Sequence, residues 1–382
     1  MNKRIINIFA IILCGTMISG CSNGNSNIQN STDESLTEAS ESAIDDTEIT
    51  TSSKVEIANN KIDIPEGMYL SELTGEPIDS SLEDQRPIAV VIDNDFESLP
   101  HYGTTEADVV YELINTTRQD RITRLLCVIK DWRDIKKLGN IRSAQPTHVL
   151  LAAEFNAVLC HDGSPWYTDV YFEDDKYSDH FTGVFSKEHS LRDNLYEKYI
   201  LYGDMDNAFT NSIISTTYSK TYSEYNSKFK FIDYGTTVDL DLQVSEVTDV
   251  TEVILPFYHN ESTLKYNEET EKYEYYEYGT LYQEAEDDKP LAFDNVIIQN
   301  TGFHLLDDNG YLEYYFYRSD FDNGYYITKG QCIPIYWDRD WDTDIVHYYA
   351  DASYTQEIQI NTGKTYIALV PSDTWEEVSL NN

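Results

Sequence analysis

The sequence predicts an α/β N-terminal domain, with an open, mainly parallel sheet and crossover helices, followed by a β-rich C-terminal domain. Two observations support this. Between Arg86 and Asn211, apolar runs of strand length alternate with segments of helical periodicity. Beyond Asp233, short strand-like runs follow one another with turn residues between them. Since roughly 320 residues exceed one ordinary domain, we place the α/β domain at 62–232 and the β-rich domain at 233–382.

Three apolar runs are the predicted strands of the α/β domain. The run from Ile88 to Ile92 has no polar position, which is typical of a strand buried on both faces. Similar runs extend from Leu125 to Ile129 and from Ala157 to Cys160. Because crossovers of helical content separate them, we expect the three strands to be parallel.

Two helices are predicted between these strands. The first begins at Thr104 or Thr105, which suit the N-cap, and continues to Ile114 with apolar residues on one face. The second extends from Pro146 to Phe155, with the proline in its first turn. The resulting order is β-α-β-α-β.

Polar residues follow each predicted strand: Asp93 to Asp95, Lys130 with Asp131, and His161 to Ser164. Parallel strands place their carboxyl ends on one edge of a sheet, where ligand sites of open α/β sheets lie. The predicted ligand or catalytic site at this edge consists of Asp93, Asn94, Glu112, Arg124, Arg142, Ser143, His161 and Asp162. The same residue types are also ordinary turn residues, so that alternative stays open.

The chemistry of these side chains allows two interpretations. The carboxylates and the imidazole of His161 suit general acid and base work or a hard-metal site. Arg124 and Arg142 suit bidentate binding of a ligand carboxylate. Alternatively, the two arginines pair with buried carboxylates and serve the fold alone.

The C-terminal half is rich in tyrosine. Tyrosine and glutamate nearly alternate from Tyr273 to Gly279, and the triplets 308–310 and 322–324 read Asp-Asn-Gly, as hairpin turns do. Aromatic rings on such strands either stack on sugar faces or pair across the sheet.

Calcium is the one weak cofactor candidate. Asp338, Asp340 and Asp342 occupy alternate positions, as the first ligands of a calcium loop do. However, Thr343 stands where such a loop needs glycine, and Tyr349 where it needs glutamate. We therefore expect a solvated acidic loop and no cofactor.

The first residues have the layout of an export signal. A basic tip, Met1 to Arg4, precedes an apolar run to Ile18 and the sequence Ser19-Gly20-Cys21. This layout predicts a lipoprotein signal at 1–20 and acyl chains on Cys21, followed by an acidic, Ser/Thr-rich tether at 21–61. We expect the mature protein to be lipid-anchored on the extracytoplasmic face of the cell membrane.

The charge of the chain excludes some classes of partner, and its cysteines indicate structural thiols. The chain carries 27 basic and 68 acidic residues, a net charge of −41. This field repels phosphate backbones, which excludes nucleic acid and disfavours anionic wall polymers unless divalent cations bridge them. Cys127, Cys160 and Cys332 are expected to be free structural thiols.

Several motifs together resemble the YerB-like lipoprotein family. The motifs are Arg86 to Asn94, Ala107 to Glu112, Ile122 to Arg124, Gly139 to Ala144, His161 to Pro165, Asp294 to Gln299 and Thr362 to Ile367. The resemblance implies an exported lipoprotein with paired N-terminal and C-terminal domains of unknown function, and it supplies no activity. The sequence departs from the family at Asn140 and Gln145, where proline and arginine are expected, and at Asp162, where alanine is expected.

Two functions are compatible with the sequence. The first is a binding or scaffold module at the interface of membrane and wall, with a cell-wall component or envelope protein as partner. The alternative is a hydrolase of a cell-wall or carbohydrate substrate that uses Asp93, Glu112, His161 or Asp162 as acid and base. The first is favoured because no catalytic motif is complete.

Overall fold

The computed structural model describes residues 62–189, 196–218, 227–317 and 321–382. All of them fall in one compact unit of the chain, Asn59–Asn382. The predicted signal at 1–20, Cys21 and the whole of the predicted tether lie outside the described residues.

The described helices and strands divide into two series along the chain. The first series is β1 (Met68–Leu70), β2 (Pro77–Asp79), β3 (Ile88–Asp93), β4 (Val109–Ile114), β5 (Thr123–Ile129), β6 (Lys137–Leu138), α1 (Pro146–Ala153), β7 (Val158–His161), α2 (Trp166–Asp169), β8 (His180–Thr182), β9 (Ser186–His189), β10 (Tyr196–Leu201) and α3 (Asp204–Thr210). The second series contains strands only: β11 (Thr248–Asp249), β12 (Glu252–Ile254), β13 (Thr263–Asn267), β14 (Lys272–Glu277), β15 (Thr280–Leu281), β16 (Ala292–Phe293), β17 (Asn295–Thr301), β18 (Phe303–Leu305), β19 (Leu312–Tyr314), β20 (Asn323–Thr328), β21 (Gln331–Arg339), β22 (Val346–Tyr349), β23 (Thr365–Pro371) and β24 (Ser379–Asn381).

Eleven of the described strands form one central sheet. Their order is β11-β21-β20-β17-β23-β4-β5-β3-β7-β8, and β22 pairs with β21. The strand β23 lies between β17 and β4 and is parallel to both. Strands on both sides of the predicted boundary at 232 and 233 therefore share one sheet, while the boundary itself stays a prediction.

The predicted helix between Thr104 and Ile114 is wrong. Residues 104–106 form one turn of 3-10 helix, and β4 follows with all six of its residues buried. Successive side chains of a strand point to opposite faces. Accordingly, Tyr111 donates a hydrogen bond to Glu154 after α1, with 3.1 Å between the oxygens, whereas Glu112 accepts one from Ser262 of the second half.

The predicted mainly parallel sheet of the α/β domain is also wrong in part. As expected, β3 is parallel to β7, and α1 begins at Pro146. The strand β5, however, is antiparallel to both β3 and β4. Lys130 and Asp131 follow β5 and therefore lie at the opposite edge from Asp93.

The β-rich second half is confirmed. Besides its strands in the central sheet, it forms a six-stranded sheet in the order β15-β14-β13-β12-β24, with β16 paired to β14. Along β14, Tyr273, Tyr275 and Glu277 are buried and alternate with partly exposed residues. Tyr275 packs against Tyr366 of β23, with ring centroids 5.8 Å apart, so this second sheet covers one face of the central sheet.

The two predicted hairpin turns had different outcomes. Residues 308–310 connect β18 and β19, as predicted. In contrast, Asn323 and Gly324 lie within β20. A Cβ atom at Gly324 would lie only 2.3 Å from the carbonyl oxygen of Ile298, so this glycine allows a close strand approach.

The three cysteines Cys127, Cys160 and Cys332 are buried free thiols, as predicted. Burial raises the pKa of Cys127 and of Cys332 to about 12. Such thiols are inert at neutral pH.

Candidate functional site

The edge where β3 and β4 end and β5 begins opens into a cleft of about 650 Å³. We call it the arginine cleft. The residues of its lining that matter below are Asp93, Asp95, Glu97, Asn115, Arg118, Arg124, Arg142, Glu197, Asn309 and Tyr311. Both halves of the chain contribute to the lining, and the volume lies in the range of small-molecule sites, about 300 to 1,000 Å³.

Asp93 and Arg142 form an ion pair at one wall of the cleft. The Nε atom of Arg142 donates to Oδ2 of Asp93 at 2.7 Å. The aspartate side chain is only 8% exposed, whereas that of Arg142 is 38% exposed. The backbone holds Arg142 here, because its amide donates to the carbonyl of Val91 at 2.9 Å. The Nη groups of Arg142 make no described contact and remain available to the cleft.

Arg124 lies near the start of β5 and lines the cleft, opposite Asp93 in the strand register. Its Nη1 atom donates to the carbonyl oxygen of Ser143 at 2.6 Å and to the hydroxyl of Ser143 at 2.9 Å. Burial lowers the pKa of Arg124, and the charge of Asp93 acts in the opposite direction. Ser143 therefore orients the guanidinium, and its hydroxyl is occupied as an acceptor.

The loop between β4 and β5 contributes Asn115 and Arg118 to the cleft. Gln119, Asp120 and Arg121 in this loop have φ values of 54°, 50° and 60°, which are strained for residues with side chains. Strain of this kind costs about 1 to 3 kcal/mol per residue and is often found at functional sites. The two Nη atoms of Arg121 bind both oxygens of Asp373, at 2.8 and 2.6 Å, and so hold the loop.

Asn94 and Glu112 belong to a buried polar network behind the cleft. The amide nitrogen of Asn94 donates to the hydroxyl of Thr123 at 2.9 Å. Glu112 accepts hydrogen bonds from Thr123 at 2.7 Å, from Ser262 at 2.6 Å and from Tyr366. Both Asn94 and Glu112 are fully buried, so neither is within reach of a ligand in the cleft. Burial raises the pKa of Glu112.

Glu277 lies in the same network. It is 1% exposed, and neither of its carboxylate oxygens has a hydrogen bond of ordinary geometry among the described residues. Burial raises the pKa of Glu277 well above its usual range, and the nearby charge of Glu112 raises it further. This side chain is therefore the least compensated carboxyl group of the network.

His161 and Asp162 lie outside the lining of the cleft. The Nε2 atom of His161 is 2.9 Å from Nδ1 of His180, and its Nδ1 atom is 2.8 Å from the carbonyl oxygen of Gly163. Burial lowers the pKa of His161 to about 4. Asp162 forms an ion pair with Lys198. Both side chains thus have structural partners of their own.

The structure divides the predicted site into three groups. Asp93, Arg124 and Arg142 line the cleft, and Ser143 binds Arg124. Asn94 and Glu112 belong to the buried network, and His161 and Asp162 lie at the end of β7, outside the cleft. Sequence reasoning missed Asn115, Arg118, Glu97, Glu197 and Tyr311. The first two follow from recognising β4 and β5 as a hairpin, since they lie in its loop, whereas no local signal marks Tyr311.

The acidic run at 338–342 begins in β21 and continues into the loop that follows it. Asp338 lies within β21, and Asp340 accepts a hydrogen bond from the amide of Asp342 at 2.8 Å. Across the part of the chain that the structure describes, no group of three or more His, Cys, Asp or Glu side chains is placed to hold a metal ion. Calcium binding by this run stays a prediction.

Two family models match the chain. The N-terminal domain of a protein of unknown function (DUF3048) matches residues 73–219, and the C-terminal domain of the same description matches residues 253–367. The chain is also 25% identical to the putative lipoprotein YerB of Bacillus subtilis (strain 168), over 78% of this chain and 85% of that protein. The arginine cleft combines residues from both matched segments.

The crystal structure of the YerB protein from Bacillus subtilis has a similar fold. The TM-score is 0.68 at 20% identity, and the alignment covers 82% of this chain and all of that one. Within residues 62–189, 196–218, 227–317 and 321–382, no helix has the length and apolar character needed to cross a bilayer.

Proposed function

Because the chain belongs to the YerB-like family, with its paired N-terminal and C-terminal DUF3048 domains, we propose that it is a lipid-anchored binding module of the bacterial envelope. Its binding site is the arginine cleft, and its ligand is a component of the cell wall. The lipoprotein name of the relative and the layout of residues 1–21 support the anchor at Cys21.

The observation that carries the binding role is the composition of the arginine cleft. Three arginines and four carboxylates converge on a cavity of about 650 Å³ between segments of both halves. A few convergent polar groups in a cleft of this size are a common feature of ligand sites. The strained loop at 119–121 supports the same assignment.

Hydrolysis has less support from the geometry. Of the acid and base candidates, only Asp93 lines the cleft, and it is paired with Arg142. Glu112 is fully buried, and His161 and Asp162 lie elsewhere. A general acid or base must come within hydrogen-bond reach of the substrate. The hydrolase alternative therefore stays a prediction without a geometric argument.

The proposal is tested by incubating the soluble chain, Ser22 to Asn382, with purified cell-wall sacculi, with and without calcium. We expect co-sedimentation without release of soluble wall fragments. The substitution Arg118→Gln in the cleft should weaken co-sedimentation, whereas Arg133→Gln, outside the cleft and exposed, should not. Release of fragments would instead identify a hydrolase. Failure to sediment in either condition would remove the wall as the ligand, and binding only with calcium would point to the run at 338–342.

A further inference from the structure

Arg124 differs from the other arginines that the structure describes. Each of Arg86, Arg121, Arg133, Arg142 and Arg339 has a carboxylate oxygen within 4 Å, and Arg118 is exposed. Arg124 is half-buried, and no ion pair is described for it. In a chain with 68 acidic residues, carboxylate partners are abundant. The charge of Asp93 compensates Arg124 only in part, because Asp93 is paired with Arg142. A desolvated cation without an ion-pair partner of its own is costly, so its retention requires a reason.

The hydrogen bonds of Arg124 leave one edge of its guanidinium unused. Ser143 occupies Nη1 alone. The Nε and Nη2 donors, which have no described partner, form an edge that matches both oxygens of a planar carboxylate. Because Ser143 fixes the plane, the edge is already oriented before a ligand arrives.

Two further guanidinium groups lie in the same cleft. Arg142 uses only Nε for Asp93, and Arg118 makes no described side-chain contact. Together with Arg124 they place three guanidinium groups in a lining that also carries four carboxylates. These guanidinium groups suit an anionic group of a ligand.

Three further carboxylates line the cleft. Asp95 accepts a hydrogen bond from the amide of Glu97 at 2.8 Å, Glu197 accepts one from the hydroxyl of Tyr199 at 2.7 Å, and the carboxylate of Glu97 has no described partner. These groups suit an ammonium group. These carboxylates would repel a ligand that carries only negative charge, and this repulsion contributes to specificity.

From this arrangement we propose that the arginine cleft binds a short peptide through its free carboxylate, held by Arg124 with Arg118 and Arg142, and through an ammonium group held by Asp95, Glu97 and Glu197. The inference rests on the proposed function and names its ligand class. Peptides of the bacterial wall that end in a free carboxylate and carry a side-chain amine have this chemistry.

The test measures binding of L-lysyl-D-alanyl-D-alanine to the chain from Ser22 to Asn382 by calorimetry. The probes are the free acid, its C-terminal amide and inorganic phosphate. We expect the amide to bind about ten-fold more weakly than the acid, since it loses the charged acceptor for Arg124. Phosphate should not compete at equal concentration.

Variants connect this binding to the cleft. Arg124→Gln should abolish binding, and because it also removes the bonds to Ser143, circular dichroism must show that it folds. Arg118→Gln, which changes no described contact, should weaken binding about three- to ten-fold, and Arg133→Gln should leave it unchanged.

The inference would be overturned by equal affinity for the acid and the amide, by equal affinity of Arg118→Gln and the wild type, or by displacement of the peptide by phosphate. No tripeptide binding alongside intact sacculus binding would overturn the ligand class alone; loss of both would overturn the proposed function as well.

Discussion

Glu112 and Glu277 show at the residue scale how far burial can shift a carboxyl group that no sequence pattern marks as unusual. Glu112 is compensated by three hydroxyl donors, whereas Glu277 has no hydrogen bond of ordinary geometry among the described residues. The sequence analysis placed Glu112 at the ligand site because its carboxylate suits general acid and base work or a hard-metal site. Its buried position depends on Ser262 and Tyr366, which lie far away in the sequence and which local patterns cannot reveal.

The substitution Glu277→Gln is expected to stabilise the protein at high pH. The folded-state pKa of Glu277 lies above the value of 4.5 that applies when it is exposed. Its favourable contribution is therefore complete below about pH 4.5 and is lost as the pH rises through the folded-state pKa. Glutamine cannot ionise, so the free energy of unfolding of the variant should exceed that of the wild type by about 1 to 3 kcal/mol at pH 8 and by less at pH 5. Urea denaturation at both pH values measures the difference.

The control for this prediction is Glu274→Gln. Glu274 lies on the same strand but on its partly exposed face, where it accepts a hydrogen bond from Asn267 at 2.8 Å. It should show no gain that grows with pH. If Glu277→Gln is instead less stable than the wild type at pH 8, the interactions of the Glu277 carboxylate stabilise the fold by more than its desolvation costs.

Individual helices and strands show which parts of the fold local sequence patterns were able to predict. The run at 88–92 and the start of α1 were predicted correctly, because continuous apolar residues and an N-terminal proline are local signals. The strand β4 was predicted as a helix, because Val109, Val110, Leu113 and Ile114 fit helical spacing. In fact both faces of β4 are covered, one by α1 and one by the second sheet. Because β4 is a strand, β5 is antiparallel to β3 and not parallel as predicted. Lys130 therefore lies at the opposite edge of the sheet from the site.

The strand β23 is the element on which both halves depend. It pairs with β17 through seven residues and with β4 through five. The segment 62–232 expressed alone should therefore aggregate, since β4, whose six residues are all buried in the whole chain, would present an unpaired edge. Co-expression with 233–382 should restore a soluble complex that elutes as one species in size-exclusion chromatography. If 62–232 alone is monomeric and unfolds cooperatively, the shared sheet is not needed for its stability.

At the scale of the whole molecule, charge and anchoring act together. The chain has a net charge of −41, which disfavours adhesion to anionic lipid, and none of the described helices can cross a bilayer. In the proposed function, the membrane is bound through acyl chains on Cys21, which contribute about 0.8 kcal/mol per buried methylene. The substitution Cys21→Ala should move the protein from the membrane fraction to the soluble fraction, as immunoblotting of the two fractions would show.

The matched control for the anchor is Cys332→Ala. Cys332 is a buried thiol of the folded part and is remote in sequence from the signal. Its substitution should leave the protein in the membrane fraction. If Cys21→Ala also remains there after washing with high salt, a surface of the folded part must bind the membrane, and the signal at 1–20 would need another interpretation.

The position of β23 at residues 365–371 determines when the chain is able to fold. Synthesis begins at the N-terminus, so β4 and β17 are made long before the strand that joins them. Pairings between residues so distant in sequence also form slowly. The centre of the sheet therefore stays open until residues 365–371 have been made. Such a delay would suit the proposed export, in which the chain crosses a narrow translocation pore while unfolded and acquires its structure on the far side.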